Sequence, residues 1–181
     1  VRVYVVFSSH SESTTRIARS IASSVMWSNE YEARQAAEVN PGEIHGPGVI
    51  FLGYPSGGPE LDRAIRSFLD RLPERTMYNV LWAVFDTRRE PEPAVAGSAV
   101  RRLRRAIEHR GGRLLVHPES FYVGLNEGVV PHRELERARA WGASAIASAV
   151  RAFRDTSVQS GFLSGGSSRP EWAAAVVAVP S

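Results

Sequence analysis

The 181-residue chain has no cysteine and no lysine. Without cysteine, disulfides, thiolate metal sites, iron–sulfur clusters and cysteine nucleophiles are excluded together, so any redox chemistry must come from a bound cofactor. Without lysine, a P-loop that sets an amine against nucleotide phosphates is excluded as well. Long apolar runs are also missing. None approaches the roughly 20 residues that span a bilayer, and the opening residues read as a strand rather than as a charged and then apolar leader. The expectation is a soluble, cytoplasmic protein without a membrane partner. Histidines 10, 45, 109, 117 and 132 lack the spacing of metal ligands, so no metal site is expected.

All 22 basic residues are arginine, and against 19 acids they leave a net charge of only +3. That small excess argues against nucleic acid, whose binders concentrate charge on one face. The densest run, "AVRRLRRAIEHRGGR", reads first as the solvated side of a helix, because Val100, Leu103 and Ile107 make its other side apolar.

What is present is an alternation of strand and helix patterns in a chain whose size and 43% hydrophobic content suit one domain. Strands are expected at Val1–Ser8, Gly48–Gly53, Asn79–Phe85 and Arg113–Val116, the last resuming through Phe121–Val123, with a weaker edge strand in Tyr31–Val39. Helices follow: one through Ile17, Ile21 and Val25; one through Leu61, Ile65, Phe68, Leu69 and Leu72, opened by Pro59 with Glu60 and Asp62 in its first turn; then Ser98–His109 and His132–Phe153. Near-continuous apolar strands alternating with helices imply an α/β fold, a doubly wound parallel sheet of five strands in three layers. Residues 1–153 form that domain. Residues 154–181 read as a Ser/Gly-rich linker and a tail, "EWAAAVVAVPS", that packs on the domain or on a second copy to give a homo-oligomer.

In doubly wound sheets ligands bind beyond the carboxyl ends of the strands, which selects three loops: "SSHSEST", "GYPSGGP" and "FDTRRE". The first has no glycine, so it is not a G-x-G-x-x-G dinucleotide loop. The second puts Tyr54 and Pro55 where a receiver domain needs its phosphoacceptor aspartate. Ser56 with distant histidines does not make the G-x-S-x-G of a hydrolase. Asp86 and Arg88 read as a local ion pair. Ser9, Ser11, Ser13, Thr14 and Thr15 exceed what capping a helix requires, and hydroxyls with N–H groups at a helix start can hold a phosphate. Glu12 sets a negative charge among them.

Val5-Val6-Phe7-Ser8-Ser9 with Ser13-Thr14, Ala18 and Ile21 resembles the flavodoxin signature, a strand entering a Ser/Thr-rich loop. "GVIFLGYPSGGPELDRAIRSFLDRL", "AVFDTRRE" and the segments to "GVVPHRELERARAWG" are similar to later parts of small stand-alone flavodoxin-domain proteins, over about Val1 to Phe153. The resemblance implies FMN as cofactor. Ser9, Ser11, Ser13 and Thr14 would hold its phosphate, with His10 and Glu12 in the same loop. Pro55, Ser56, Gly57 and Gly58 would border one side of the flavin, and Asp86, Thr87 and Arg88 the other. The implied activity is electron transfer to a redox partner protein, or reduction of a small-molecule acceptor. The alternative is a flavodoxin-like domain without flavin, serving as a binding or scaffold module.

Overall fold

Alternate residues of the first strand, β1 (Arg2–Phe7), face opposite ways: Val3, Val5 and Phe7 enter one core and Val6 the other. The two central strands repeat the division. β3 (Gly48–Pro55) gives Val49 and Phe51 to the first core and Ile50, Leu52 and Tyr54 to the second. β4 (Val80–Arg89) gives Leu81, Ala83 and Phe85 to the first and Trp82 and Val84 to the second. A strand buried on both faces needs both faces covered. Helices α1 (Glu12–Ala22) and α5 (His132–Leu163) cover the first, and α2 (Arg63–Arg71), α3 (Glu74–Asn79) and α4 (Ala99–His109) the second. The computed structural model describes residues 1–25, 33–56, 62–89, 99–126 and 128–163.

With β2 (Ala33–Gln35), β5 (Arg113–Leu114) and β6 (Glu119–Val123), the parallel sheet has the order β2-β1-β3-β4-β5, and β6 also pairs with β4. β5 meets β4 at Leu81 and Trp82, and β6 meets it from Phe85 to Arg89. They are two halves of one position in the sheet, as the expected interruption after residue 116 implied. Strand order reverses between β1 and β3, which fixes where a ligand crevice opens.

Two close fits lock this arrangement. A Cβ on Gly53 would stand 2.4 Å from the Phe85 ring, so only glycine lets that ring lie flat on β3. From α5, Trp141 meets Phe51 and Phe121 edge-on at centroid distances of 5.4 and 5.9 Å, contacts worth about 0.5–1.5 kcal/mol each beyond the area they bury. At the β6–α5 corner Glu134 accepts the Tyr122 N–H at 2.9 Å and is paired with Arg137 at 2.6 Å. Arg137 also reaches Glu119 at 2.5 Å and stacks on Phe121 at 4.6 Å.

The boundaries differ from expectation where long-range pairing takes over. β4 does not stop at Phe85, because β6 continues its ladder to Arg89. β3 likewise runs on to Pro55 beside Thr87. The edge strand shortens to three residues, and Tyr31 and Glu32 lie outside the described residues. α2 begins at Arg63 because Asp62 is its cap, accepting the Ala64 and Ile65 N–H groups at 2.9 and 3.1 Å; Pro59 and Glu60 lie outside the described residues. α5 continues past Phe153 to Leu163, so the first part of the expected linker is helical, while residues 164–181 lie outside the described residues. Among the described residues, no helix is long and apolar enough to cross a membrane, and no cluster of acidic and histidine side chains could hold a metal.

Candidate functional site

At the carboxyl edge of the sheet, residues 8–11 connect β1 to α1. The connection is fastened by a side chain from the neighbouring strand. Gln35, the last residue of β2, accepts the Ser9 N–H at 3.2 Å and donates to the Ser9 carbonyl at 2.7 Å, so one amide extends the sheet's ladder onto the loop. The Ser9 hydroxyl in turn accepts the Ser11 N–H at 2.8 Å. His10 and Glu12 are exposed. Ser11 stands at the N-cap position with no side-chain cap bond, and the N–H groups of Glu12, Ser13 and Thr14 donate to no other group among the described residues.

Ser13 and Thr14 point inward. Ser13 is 2% exposed and its hydroxyl accepts the Gly128 N–H at 3.1 Å; Thr14 is 1% exposed and its hydroxyl lies 2.7 Å from that of Thr87 on β4. Arg16 donates to the Gly128 carbonyl at 2.5 Å. Gly128 has φ +77°, and a Cβ there would meet the Glu12 carboxylate at 2.9 Å, so the glycine lets the β6–α5 loop close on the start of α1. Three connections, through Gln35, Thr87 and Gly128, therefore hold this loop, all by neutral acceptors or carbonyls.

The other half of the edge is charged. Asp86 is fully buried and grips Arg88 through two hydrogen bonds of 3.1 and 3.2 Å; its second oxygen also accepts the Val100 N–H, in the first turn of α4, at 3.4 Å. Asp86, Thr87 and Arg88 thus lie on β4 itself, not in a loop. Asp86 and Arg88 face α4, while Thr87 faces α1. The Tyr54 hydroxyl, buried beside them, accepts from Arg102 at 2.9 Å. Burial pushes its phenol above the ordinary value, Arg102 pulls it back in part, and Asp86 adds to the rise. Pro55 ends β3, and the Ser56 N–H donates to the Thr87 carbonyl at 2.8 Å. Gly57 and Gly58 lie outside the described residues.

The sequence reading missed Gln35 and Gly128, and with Gly128 the bond that Arg16 makes to its carbonyl. Only Gly128 carried a local signal, as the glycine of an Asn-Glu-Gly turn. Two concavities of about 370 and 220 Å3 lie at the opposite, amino edge of the sheet, around Tyr4, Ile44, His45 and Arg75. Neither is lined by any of the predicted site residues, and the convergent polar groups are at the carboxyl edge.

No protein-family model matches the sequence, and no curated protein matches it. The likeness to known proteins is one of shape. A flavodoxin from the domain Archaea superposes with a TM-score of 0.65 at 14% identity, over 82% of this chain and 99% of that one. The fold is flavodoxin-like. Oxidised flavodoxin 2 of Bacillus cereus matches it with a TM-score of 0.60 at 18% identity, over 81% of this chain and 99% of that one. The flavodiiron core of Flv1 from Synechocystis matches with a TM-score of 0.62 at 17% identity over 84% of this chain, which spans only 36% of that one. At such identities the flavodoxin-like likeness concerns fold and not activity.

Proposed function

We propose that the chain binds FMN at the carboxyl edge of the sheet and serves as an electron carrier for a redox partner protein or as a reductase of a small acceptor. One observation carries this reading: α2 and α4 begin on the carboxylates of Asp62 and Asp86, whereas the first-turn N–H groups of α1 meet none among the described residues. A helix start with unbonded N–H groups favours an anion. The phosphate monoester of FMN fits there, held by the Ser11 hydroxyl and the N–H groups of Glu12, Ser13 and Thr14. Ser9, Ser13 and Thr14 contribute their hydroxyls to the shape of the loop instead. Pro55, Ser56 and the strand end at Thr87 would border the ring, while Asp86 and Arg88 keep a structural role against α4. When bound, the flavin supplies the electron chemistry that the side chains lack.

The second reading, a flavin-less module, is favoured by the inward bonds of Ser13 and Thr14, which withhold two of the hydroxyls expected on the phosphate. Titrating the purified full chain with FMN, FAD and riboflavin separates the two. Visible absorbance that shifts on FMN addition, with much weaker response to riboflavin, is the expected result. No response to FMN would leave the module reading standing. Equal affinity for FMN and riboflavin would remove the phosphate from α1.

A further inference from the structure

The helices on one side of the sheet carry charge that the fold does not use. α2 and α4 bury Ile65, Phe68, Leu69, Leu103 and Ile107 in the same core, and the ion pair from Arg110 to Asp70 ties their carboxyl ends together. Residues 62–71 and 99–110 contain eight arginines against three carboxylates. Each carboxylate has a partner within this layer: Asp62 caps α2, Asp70 binds Arg110, and Glu108 binds Arg104 at 2.8 Å. Arg63, Arg101 and Arg105 are exposed and have no acidic partner among the described residues. Arg101 also sits in the first turn of α4, where the helix dipole opposes a cation, four residues ahead of a second one at Arg105. The apolar face of α4 is complete without either residue. The Arg102 bond to Tyr54, near the end of β3, sets this end of the basic face beside the carboxyl edge.

We infer that the outer face of α2 and α4 docks an acidic protein, the electron partner of the edge site. That the partner is a redox protein rests on the flavin reading; the charge complementarity does not. Guanidinium forks match carboxylates bidentately. A nucleic acid fits this face less well, because Asp70 and Glu108 interrupt it with negative charge. The exposed described side chains of α2 and α4 also include no Phe, Tyr or Trp on which a base could stack.

The test compares the full chain with the Arg101→Glu/Arg105→Glu variant against three probes at low and high salt: an acidic [2Fe–2S] ferredoxin, a basic c-type cytochrome, and a mixed-sequence oligonucleotide. The wild type is expected to bind the acidic protein about tenfold more tightly than the basic one, with affinity falling as salt rises. The variant should lose about tenfold toward the acidic protein with an unchanged melting temperature. Unchanged affinity in the variant, or tighter binding of the oligonucleotide than of the acidic protein, would overturn the inference. Binding is measured before and after adding FMN. A chain that discriminates between the probes but takes up no FMN overturns only the flavin reading, and one that takes up FMN without discriminating overturns only the docking face.

Discussion

The two halves of the carboxyl edge hold their helices in opposite ways. On the α1 side the acceptors are neutral: an amide from Gln35, a pair of threonine hydroxyls, and the backbone of Gly128, whose carbonyl also takes the Arg16 guanidinium. On the α4 side a buried carboxylate serves both a guanidinium and the helix start. A helix that begins on its own carboxylate has no remaining use for an anion. A helix held by hydroxyls and amides keeps its N-terminal field for a ligand. Among the described residues the fold thus sets a closed helix start beside an open one along a single edge, and this difference, more than the number of serines, is what supports the proposal of a phosphate at α1.

The largest effect comes from breaking the charged half. Asp86→Ala leaves Arg88 buried without its partner, a change that costs about 3–5 kcal/mol, read as a lower denaturant midpoint. A loss under about 1 kcal/mol would mean that the guanidinium finds water and that the half is not closed. On the neutral half, Thr14→Val or Thr87→Val alone strands one buried hydroxyl at a cost of about 1–3 kcal/mol. The double Thr14→Val/Thr87→Val variant removes both partners and should cost less than the sum of the singles. Additive losses would show that the two hydroxyls do not depend on each other.

Smaller effects sharpen the contrast in binding rather than folding. Ser11→Ala removes no cap bond, so the melting curve should stay put. FMN affinity should nonetheless fall about tenfold or more, since a hydrogen bond to a charged group contributes about 1.5–3 kcal/mol. Full FMN affinity in this variant would take the phosphate away from Ser11. Glu12→Gln removes an exposed charge beside the proposed phosphate. It should tighten FMN severalfold at low salt, and the gain should vanish near 1 M, where screening acts within about 3 Å. Weaker binding in Glu12→Gln would make the glutamate a support of the site.

The sheet was legible because its strands are apolar on both faces and its main helices keep a clean period. Elements set by distant pairing were not. Nothing local tells β4 to continue through Asp86, since the ladder to β6 comes from more than thirty residues away in the chain. α3, "ERTMYN", is a short polar stretch that packs through Met77. The Ser/Gly content after Arg154 suggested a linker, yet the helix already under way continues as far as Leu163. Within the site, the hydroxyl run and the helix start were readable. Which hydroxyls turn inward was not, because their partners at Thr87 and Gly128 are remote. Gln35 was invisible for the same reason, as its role exists only once β2 lies beside β1.

The β6–α5 corner carries a consequence in protons. Burial pushes the Glu134 carboxyl up, but Arg137 and the Tyr122 N–H outweigh it and hold the group below its ordinary 4.5. A carboxyl that gives up its proton more readily when folded stabilises the fold fully above that ordinary value. The contribution shrinks as pH falls through the lower, folded value, and it is gone once both states are protonated. Acid should therefore loosen the seam between β6 and α5, and Glu134→Gln should flatten this part of the stability profile on a pH series of unfolding curves. The Thr14–Thr87 fastening of α1 has no proton to gain over the same range. Acid below that ordinary value would weaken this one corner of the molecule and leave the Thr14–Thr87 bond as it is.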